Sequence, residues 1–239
     1  MTSSTLFSQN SPGQGTEINE MLGKQVPPYI AFCNEKGDTV LFGELINKPT
    51  VLTLVYYNCP GICTPLLYGL VERIQTSKMI PGKDYHLVTV SFNELEKPEL
   101  ALAKKKSYLR LFKKDINAEA WNWLTGDNQN IQRLTRAVGF NYIPSGKDFV
   151  HRSALFFLNS NGEVVRYLYG TEFNKIDFDM AIREASDNSL SNMIWEYCYS
   201  YDEIHRTYSF NSGKVFGSMI IFSIIFFSTV FISIRRFKK

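Results

Sequence analysis

Two cysteines separated by three residues, Cys59 and Cys63, lie in the segment NCPGICTP. This segment follows a continuous β-branched and aromatic run at 50–57 and precedes apolar residues with helical spacing. Sulfur atoms in this place lie at the carboxyl end of a predicted strand, where open α/β folds have their binding sites. Because Cys63 falls in the first turn of the predicted helix, we expect the helix dipole to lower the pKa of its thiol. Thiolates of this kind bind soft metals such as Cu(I) and attack disulfides.

The spacing of the two cysteines leaves several chemistries open. A thioredoxin-type redox pair is C-x-x-C, whereas here one more residue separates the sulfurs. Pro60 and Gly61 form the predicted turn, and Pro65 is tolerated in the first turn of a helix. This looser turn can close a disulfide, and it also lets both sulfurs bind one metal ion. A structural disulfide, or a pair without a role, is a further alternative, so spacing does not separate metal binding from redox chemistry.

The order of predicted elements around the cysteines is typical of a thioredoxin-like α/β domain. Continuous β-branched and aromatic runs predict strands buried on both faces, and apolar residues three and four apart predict amphipathic helices. In chain order the pattern predicts a hairpin in IAFCNEKGDTVLFGEL that turns at Lys36, Gly37 and Asp38, a strand at 50–57, a helix from 66 to 76, a strand at 85–93, a helix at 98–114, a short strand in WNWLTG, a helix at 128–138, a hairpin turning at 159–162 and a helix at 177–186.

Composition limits the class of protein. The 239 residues are 44% hydrophobic and 14% aromatic, which suits one globular domain with extra segments and argues against general disorder. A net charge of +3 with scattered basic residues gives no nucleic-acid surface, and we expect no nucleic-acid partner. The cluster Lys104, Lys105 and Lys106 falls in a predicted helix and is expected to be a solvated face. Four cysteines in a chain of this length do not make a disulfide scaffold.

A third ligand would come from one of three histidines. His86 opens a predicted strand and is expected to be structural or exposed, and His205 has no partner motif around it. His151, in DFVHRSAL, directly precedes a hairpin strand, and in a thioredoxin-like domain that approach passes close to the helix that carries the cysteines. A lone histidine is more often structural than a ligand, but the placement of His151 makes the two interpretations about equal. Two cysteines and one histidine are nevertheless the trigonal set expected of a copper site.

The motif YYNCPGICTPLL resembles the metal-binding motif of the Sco/SenC family of copper proteins, which assist the assembly of cytochrome c oxidase. The resemblance continues in collinear order through SFNELEKPELALAKKKSYL, WNWLTG, VGFNYIPSGKDFVHRSALFFLNSNGEVVRYLYGTEF and CYSYD. In that family two cysteines and a distal histidine bind Cu(I) or Cu(II) in a thioredoxin-like fold. The resemblance therefore implies that Cys59, Cys63 and His151 bind copper. The chain looks like a bacterial branch of this family, in which the membrane helix comes at the C-terminal end.

The sequence departs from the family pattern near the implied ligands. Many members have Asp-His-Ser around the histidine, whereas this chain has Val150 in place of the Asp. We expect this loss to remove a possible hydrogen-bond acceptor of the ligand and to alter metal affinity. In SFNELE the family commonly has an Asp where this chain has Asn93, which cannot supply a negative charge.

Two further cysteines lie outside the implied copper ligands. Cys33 falls in a predicted strand and is expected in the core. Cys198 lies in an aromatic-rich segment, where a redox role and a structural role are both open.

The segment 215–234, VFGSMIIFSIIFFSTVFISI, has twenty residues without a charge. A helix of this length spans about 30 Å, the thickness of the hydrocarbon core of a bilayer. A buried core helix that is apolar on every face would be unusual, so the segment predicts a transmembrane helix. Four basic residues follow in RRFKK, and only Lys214 lies close before the span. This asymmetry predicts a cytoplasmic tail at 235–239 and a body outside the cytoplasm.

The first residues of the chain do not match this placement. They have neither the apolar core nor the basic start of an export signal. Either the chain is shown after processing or without its true start, or the protein is tail-anchored with its body in the cytoplasm. We expect a single-pass protein of the bacterial inner membrane, with its soluble domain in the periplasm.

The resemblance, together with the predicted membrane helix, implies a membrane-anchored copper chaperone for a haem–copper oxidase subunit or a related respiratory membrane complex, a carrier rather than an enzyme. The alternative is a thiol–disulfide oxidoreductase that keeps the cysteines of a copper acceptor reduced, with Cys59 and Cys63 as its redox pair. A peroxidase-like use of the fold has less support, because it needs a single reactive cysteine beside an arginine. The predicted organisation is a flexible lead at 1–24, the thioredoxin-like domain at 25–190, an aromatic-rich connector at 191–214, the membrane helix at 215–234 and the basic tail at 235–239.

Overall fold

The computed structural model describes residues 15–113, 115–186, 195, 197–202 and 204–237. The chain divides into two compact units, with the boundary between residues 187 and 188. The predicted limit between domain and connector, at 190 and 191, lies outside the described residues.

The first unit has nine strands and five α-helices among its described residues. The strands are β1 (Ala31–Asn34), β2 (Thr39–Leu41), β3 (Thr50–Val55), β4 (His86–Ser91), β5 (Trp121–Thr125), β6 (Tyr142–Ser145), β7 (Asp148–His151), β8 (Ala154–Leu158) and β9 (Val164–Tyr169). The helices are α1 (Phe42–Leu45), α2 (Cys63–Thr76), α3 (Pro98–Leu109), α4 (Asn128–Ala137) and α5 (Lys175–Ala185).

Seven strands form one sheet in the order β2-β1-β5-β4-β3-β8-β9. The central strands β3, β4 and β5 are parallel, and the flanking strands β1, β8 and β9 pair antiparallel with their neighbours. Strands β6 and β7 form a separate antiparallel hairpin directly before β8. This mixed α/β sheet confirms the predicted thioredoxin-like fold.

Strand β3 explains why the sequence before the cysteines is continuously apolar. All six of its residues are buried, and it pairs with β4 on one edge and β8 on the other. Because both edges are paired and both faces are covered, no position on the strand meets water. The chain leaves the sheet at the carboxyl end of β3, where the cysteine segment begins.

Helix α2 fixes the second cysteine. It begins at Cys63 and buries a leucine-rich side, which comprises Leu66, Leu67, Leu70, Val71 and Ile74. On the same helix, Gly69 approaches the chain after β9 so closely that a Cβ atom would lie 1.9 Å from the carbonyl oxygen of Thr171. A glycine at this position allows the helix to pack there.

The structure corrects three expectations. Residues 15–24, expected to be part of a flexible lead, are bound to the domain, since the Asn19 amide donates to the Gly139 carbonyl and the Met21 amide to the Tyr167 hydroxyl. The segment FGEL, expected in a hairpin strand, forms the short helix α1. Helix α3 ends at Leu109 rather than near residue 114, which lies outside the described residues.

The lysine cluster is also not a uniformly solvated face. Lys105 is buried, with only 6% of its side chain exposed, whereas Lys106 is exposed. The Lys105 ammonium lies 2.5 Å from Glu35 Oε1, and Glu35 Oε2 accepts a hydrogen bond from the Trp123 amide. Helical periodicity from the apolar residues could not reveal this, because the buried position is occupied by a charged residue whose partner is distant in sequence.

The second unit is described by itself. Strands β10 (Tyr199–Asp202) and β11 (Thr207–Phe210) form a hairpin, followed by helix α6 (Ser212–Phe237). Aromatic rings pack within the hairpin, with Tyr201 and Tyr208 centroids 5.0 Å apart. Residues Ser212–Phe231 of α6 have a mean hydropathy of 1.9, so by length and composition this helix can cross a membrane.

The buried ion pair gives a prediction on stability. Replacing Lys105 by Ala leaves the Glu35 carboxylate buried without its cation, so the free energy of unfolding should fall by about 3–5 kcal/mol. Lys106→Ala, on the exposed side of the same helix turn, should change it by less than about 0.5 kcal/mol. Urea denaturation of both variants measures the difference, and equal losses would contradict a buried pair.

Candidate metal centre

The structure brings Cys59, Cys63 and His151 together. Cys59 lies in the segment after β3, Cys63 is the first residue of α2, and His151 is the last residue of β7. Their ligand atoms all lie within 4.8 Å of one another, and Cys63 Sγ lies 3.5 Å from His151 Nε2. The expected approach of the histidine to the cysteine-bearing helix is confirmed.

The separations suit one metal ion. With metal–sulfur bonds of about 2.3 Å and a metal–nitrogen bond of about 2.0 Å, trigonal ligands lie about 3.7–4.0 Å apart. The distance of 3.5 Å between Cys63 Sγ and His151 Nε2 is already close to this value. The donor set of two sulfurs and one imidazole therefore fits a soft or borderline metal with only small side-chain movements.

The imidazole of His151 is held in one tautomer. Its Nδ1 atom lies 2.9 Å from the backbone carbonyl oxygen of Arg152, and a carbonyl oxygen only accepts hydrogen bonds. Nδ1 therefore carries the proton, and Nε2 presents its lone pair toward Cys63. Burial lowers the pKa of His151, which favours the neutral ring that can bind a metal.

The Arg152 carbonyl also changes how residue 150 is interpreted. The acceptor that orients His151 belongs to the backbone and does not depend on an acidic side chain. Val150 is 48% exposed, and neighbouring residues of a strand point to opposite faces. The side chain at 150 is therefore directed away from the face that carries the imidazole, and the valine leaves the hydrogen bond to His151 in place.

The two sulfurs differ in their surroundings. Cys63 is buried, whereas Cys59 is half-buried and accepts a hydrogen bond of 3.3 Å from the Gly61 amide. The expectation of a lowered thiol pKa was wrong for Cys63: burial raises the pKa of this thiol, and the neighbouring Cys59 side chain adds to the effect. The position of Cys63 at the start of a helix does not lower its pKa, because the sulfur is buried and loss of solvation is the larger effect.

Aromatic rings surround the imidazole. The ring centroids of Phe92 and Phe140 lie 5.0 and 5.6 Å from that of His151, and Tyr56 lies on a third side at 6.3 Å. The Tyr56 hydroxyl donates to Asp148 Oδ1, which ties the end of β3 to the β6–β7 hairpin. These rings cover part of the imidazole, which is half-buried.

One acidic residue near the cysteines was missed by the sequence interpretation. Glu96 is buried and accepts hydrogen bonds from the backbone amides of Tyr57 and Asn58, directly before Cys59. In the sequence it is one of three acidic residues in NELEKPE, a polar stretch that has the composition of a solvated loop. No local pattern distinguishes it from exposed Glu94.

The remaining histidines and cysteines lie apart from this group. His86 contacts the Leu45 carbonyl through Nδ1, as expected for a structural residue, and His205 contacts Asp202. Cys33 lies in β1 as predicted, but it is half-buried on the wall of a surface cleft and not in the core. Cys198 is half-buried, and its carbonyl accepts from the Asn211 amide at the base of the β10–β11 hairpin.

The fold and the site together define a thioredoxin-like protein with a Cys-Cys-His group able to bind a metal. The sequence model of the SCO1/SenC family matches residues 23–186. The chain therefore belongs to the SCO1/SenC family. A comparison with curated proteins gives no match.

Solved structures resemble the first unit of the chain. A crystal structure of a protein from Aquifex aeolicus VF5 is 25% identical with a TM-score of 0.63, over 69% of this chain and 94% of that one. BsSco, described as a member of the Sco family of cytochrome c oxidase assembly proteins with a disulfide switch, is 19% identical with a TM-score of 0.56, over 72% and 99%. Arabidopsis thaliana ScoI with copper bound is 19% identical with a TM-score of 0.54, over 65% and 94%.

The lowered pKa of His151 predicts a pH dependence of stability in the metal-free protein. In the unfolded chain the histidine has a pKa of about 6.5 and takes up a proton below that pH. In the folded chain His151 takes up the proton only at a lower pH, because its pKa is lowered. The free energy of unfolding should therefore fall as the pH decreases below about 6.5, through the window between the unfolded pKa and the lower folded one.

His151→Gln removes this contribution and leaves all other titrating groups in place. Between pH 7.5 and 5.0, wild type should lose more stability than the variant in urea denaturation. An equal loss in the two proteins would contradict a buried neutral imidazole.

Proposed function

We propose that the protein is a membrane-anchored copper chaperone that assists assembly of the copper centre of a haem–copper oxidase. The observation that carries this proposal is the convergence of Cys59 Sγ, Cys63 Sγ and His151 Nε2 within 4.8 Å. Membership of the SCO1/SenC family supports it, as does the copper bound by the Arabidopsis thaliana relative. The assignment of BsSco to cytochrome c oxidase assembly supports the oxidase as the destination.

The donor atoms determine the choice of metal. Thiolate sulfur favours Cu(I), and an imidazole as third ligand suits both oxidation states of copper. Copper is the cargo here, and the chain holds it until a partner supplies competing ligands. Metal binding displaces the thiol proton of buried Cys63 but no proton from His151, because burial already favours its neutral form.

The different exposure of the three ligands suggests the order of transfer. Cys63 is buried at the start of α2, and His151 is half-buried beside the rings of Phe92 and Phe140. Cys59 is half-buried in the segment between β3 and α2, so it is the sulfur that an incoming ligand reaches first. We infer that transfer begins with replacement of Cys59 by a ligand of the acceptor protein.

A second candidate function uses the same cysteines as a dithiol. The accessible Cys59 can attack a disulfide of an acceptor protein, and the buried Cys63 then attacks the mixed disulfide. The two cysteines are oxidised to a disulfide, and the acceptor receives two electrons and two protons as its disulfide becomes two thiols. The disulfide switch in the name of BsSco supports this alternative.

The proposed placement is a single span in the bacterial inner membrane, with the first unit in the periplasm and the partner among respiratory membrane complexes. The apolar helix α6 and the basic residues at its C-terminal end support this orientation. Reporter fusions test it: a reporter active only in the periplasm should work at the N-terminus and fail at the C-terminus. The reverse pattern would place the body in the cytoplasm.

The copper proposal predicts one Cu(I) per chain in the full-length protein held in detergent. Replacing Cys59, Cys63 or His151 by Ala removes one of three ligands, and each change should weaken Cu(I) binding by at least about 100-fold. Competition titrations with a Cu(I) chelator under reducing conditions measure the affinities. A wild-type affinity no tighter than micromolar would refute the proposal.

Val150→Asp is the matched control, because it changes the residue beside His151 without altering a ligand. Its side chain is directed away from the imidazole face, so Cu(I) affinity should stay within about threefold of wild type, less than the tenfold or more that loss of a hydrogen-bond partner of a ligand costs.

Oxidase activity in cells distinguishes the two functions. A chaperone loses function with His151→Ala, whereas a dithiol reductant retains it and loses function only with the cysteine variants.

A further inference from the structure

The cysteine segment begins where the parallel ladder ends. Strand β3 stops at Val55, and the second and third residues after it, Tyr57 and Asn58, still carry amide groups that need acceptors. Tyr57 is buried, and Asn58, which is exposed, directly precedes Cys59. How these amides are satisfied determines where the chain leaves the sheet and therefore where Cys59 lies.

A single carboxylate supplies both acceptors. Glu96 Oε2 accepts from the Tyr57 amide at 2.6 Å, and Glu96 Oε1 accepts from the Asn58 amide at 2.9 Å. The Ser91 hydroxyl donates to Oε2 at 2.6 Å and itself accepts from the Asn93 amide. Glu96 thus joins the end of β3 to the turn that follows the neighbouring strand β4.

The carboxylate is negatively charged in this setting. Two of its three partners are backbone amides, which can only donate to the carboxylate oxygens. It is 6% exposed, and among the described residues no Lys, Arg or His forms an ion pair with it. The charge acts on the cysteines, since Glu96 is one of the groups that raise the pKa of Cys63.

We propose that Glu96 is a positioning residue of the metal centre, which holds the Tyr57–Asn58 backbone so that Cys59 faces Cys63 and His151. We further propose that its buried negative charge stabilises a bound metal cation, more strongly for Cu(II) than for Cu(I). The positioning follows from the two amide hydrogen bonds, and the charge effect follows from the low dielectric of the interior, where an unpaired charge acts over several ångströms. The copper part rests on the proposed function, whereas the positioning part does not.

Glu96→Gln tests both parts, because it keeps the shape of the side chain, removes the charge and replaces one acceptor oxygen by an NH2 group. Glu94→Gln is the matched control, since Glu94 lies two residues away and is exposed. In the metal-free full-length protein, amide hydrogen exchange at Tyr57, Asn58 and Cys59 should become at least tenfold faster in Glu96→Gln and stay unchanged in Glu94→Gln. Unchanged exchange at these amides would overturn the positioning role.

In the copper-loaded protein, Cu(I) affinity and the midpoint potential distinguish this proposal from a merely structural role of Glu96. Glu96→Gln should weaken Cu(I) binding at least tenfold and raise the midpoint potential of the bound Cu(II)/Cu(I) couple, because Cu(II) loses more affinity than Cu(I). Ser91→Ala keeps the charge and removes one hydrogen bond, so it should leave the potential near that of wild type. If Glu96→Gln lowers the melting temperature but leaves affinity and potential unchanged, the proposal is wrong.

Two further variants separate this test from general destabilisation and from failure of the copper function. Thr53→Val removes the buried hydroxyl pair between Thr53 and Thr89 in the sheet, so it should lower stability without altering copper affinity. Glu96→Asp serves if Glu96→Gln does not fold, since it keeps the charge with a shorter reach. It should accelerate the same amide exchange and weaken Cu(I) binding. Because the charge is kept, it should change the midpoint potential less than Glu96→Gln does. If wild type binds no copper, the proposed function fails, and the hydrogen-exchange result alone still decides the positioning role.

Discussion

The hydrogen bond between His151 Nδ1 and the Arg152 carbonyl is the contact on which the metal centre depends. It fixes the tautomer, so that Nε2 presents a lone pair 3.5 Å from Cys63 Sγ. It is made by the backbone at the junction of β7 and β8, and β8 is anchored in the sheet beside β3. The strand that carries the histidine belongs to the separate β6–β7 hairpin, and residues 152 and 153 connect it to β8, which pairs with the strand that leads to the cysteines.

Burial determines the chemical state of the metal-free site. It raises the pKa of the Cys63 thiol and lowers the pKa of His151, so both effects favour uncharged groups. A thiol at Cys63 and a neutral imidazole can be buried at modest cost, whereas a buried thiolate could not. The negative charge of the cysteine ligands then develops when the metal displaces thiol protons. The site is in this way stable when empty and attractive to a soft cation.

The elements could be predicted from sequence because each has a strong local signal. The continuous apolar run of β3 and the leucine spacing of α2 predicted the strand and helix that hold the cysteines, and the DFVHRSAL segment predicted the approach of His151. Pairs that join distant parts of the chain could not be predicted. Lys105 and Glu35 are 70 residues apart, and Glu96 lies 38 residues beyond Asn58, so neither shows its partner in a sequence window. The pKa of Cys63 was predicted in the wrong direction because helix position is visible in the sequence and burial is not.

X-ray absorption at the copper edge of the Cu(I)-loaded full-length protein tests the central claim most directly, because it counts the atoms bound to the metal. We predict two sulfur neighbours at about 2.3 Å and one nitrogen neighbour at about 2.0 Å, with the nitrogen lost in His151→Ala. A spectrum with sulfur neighbours only, unchanged by His151→Ala, would contradict a centre built from Cys59, Cys63 and His151.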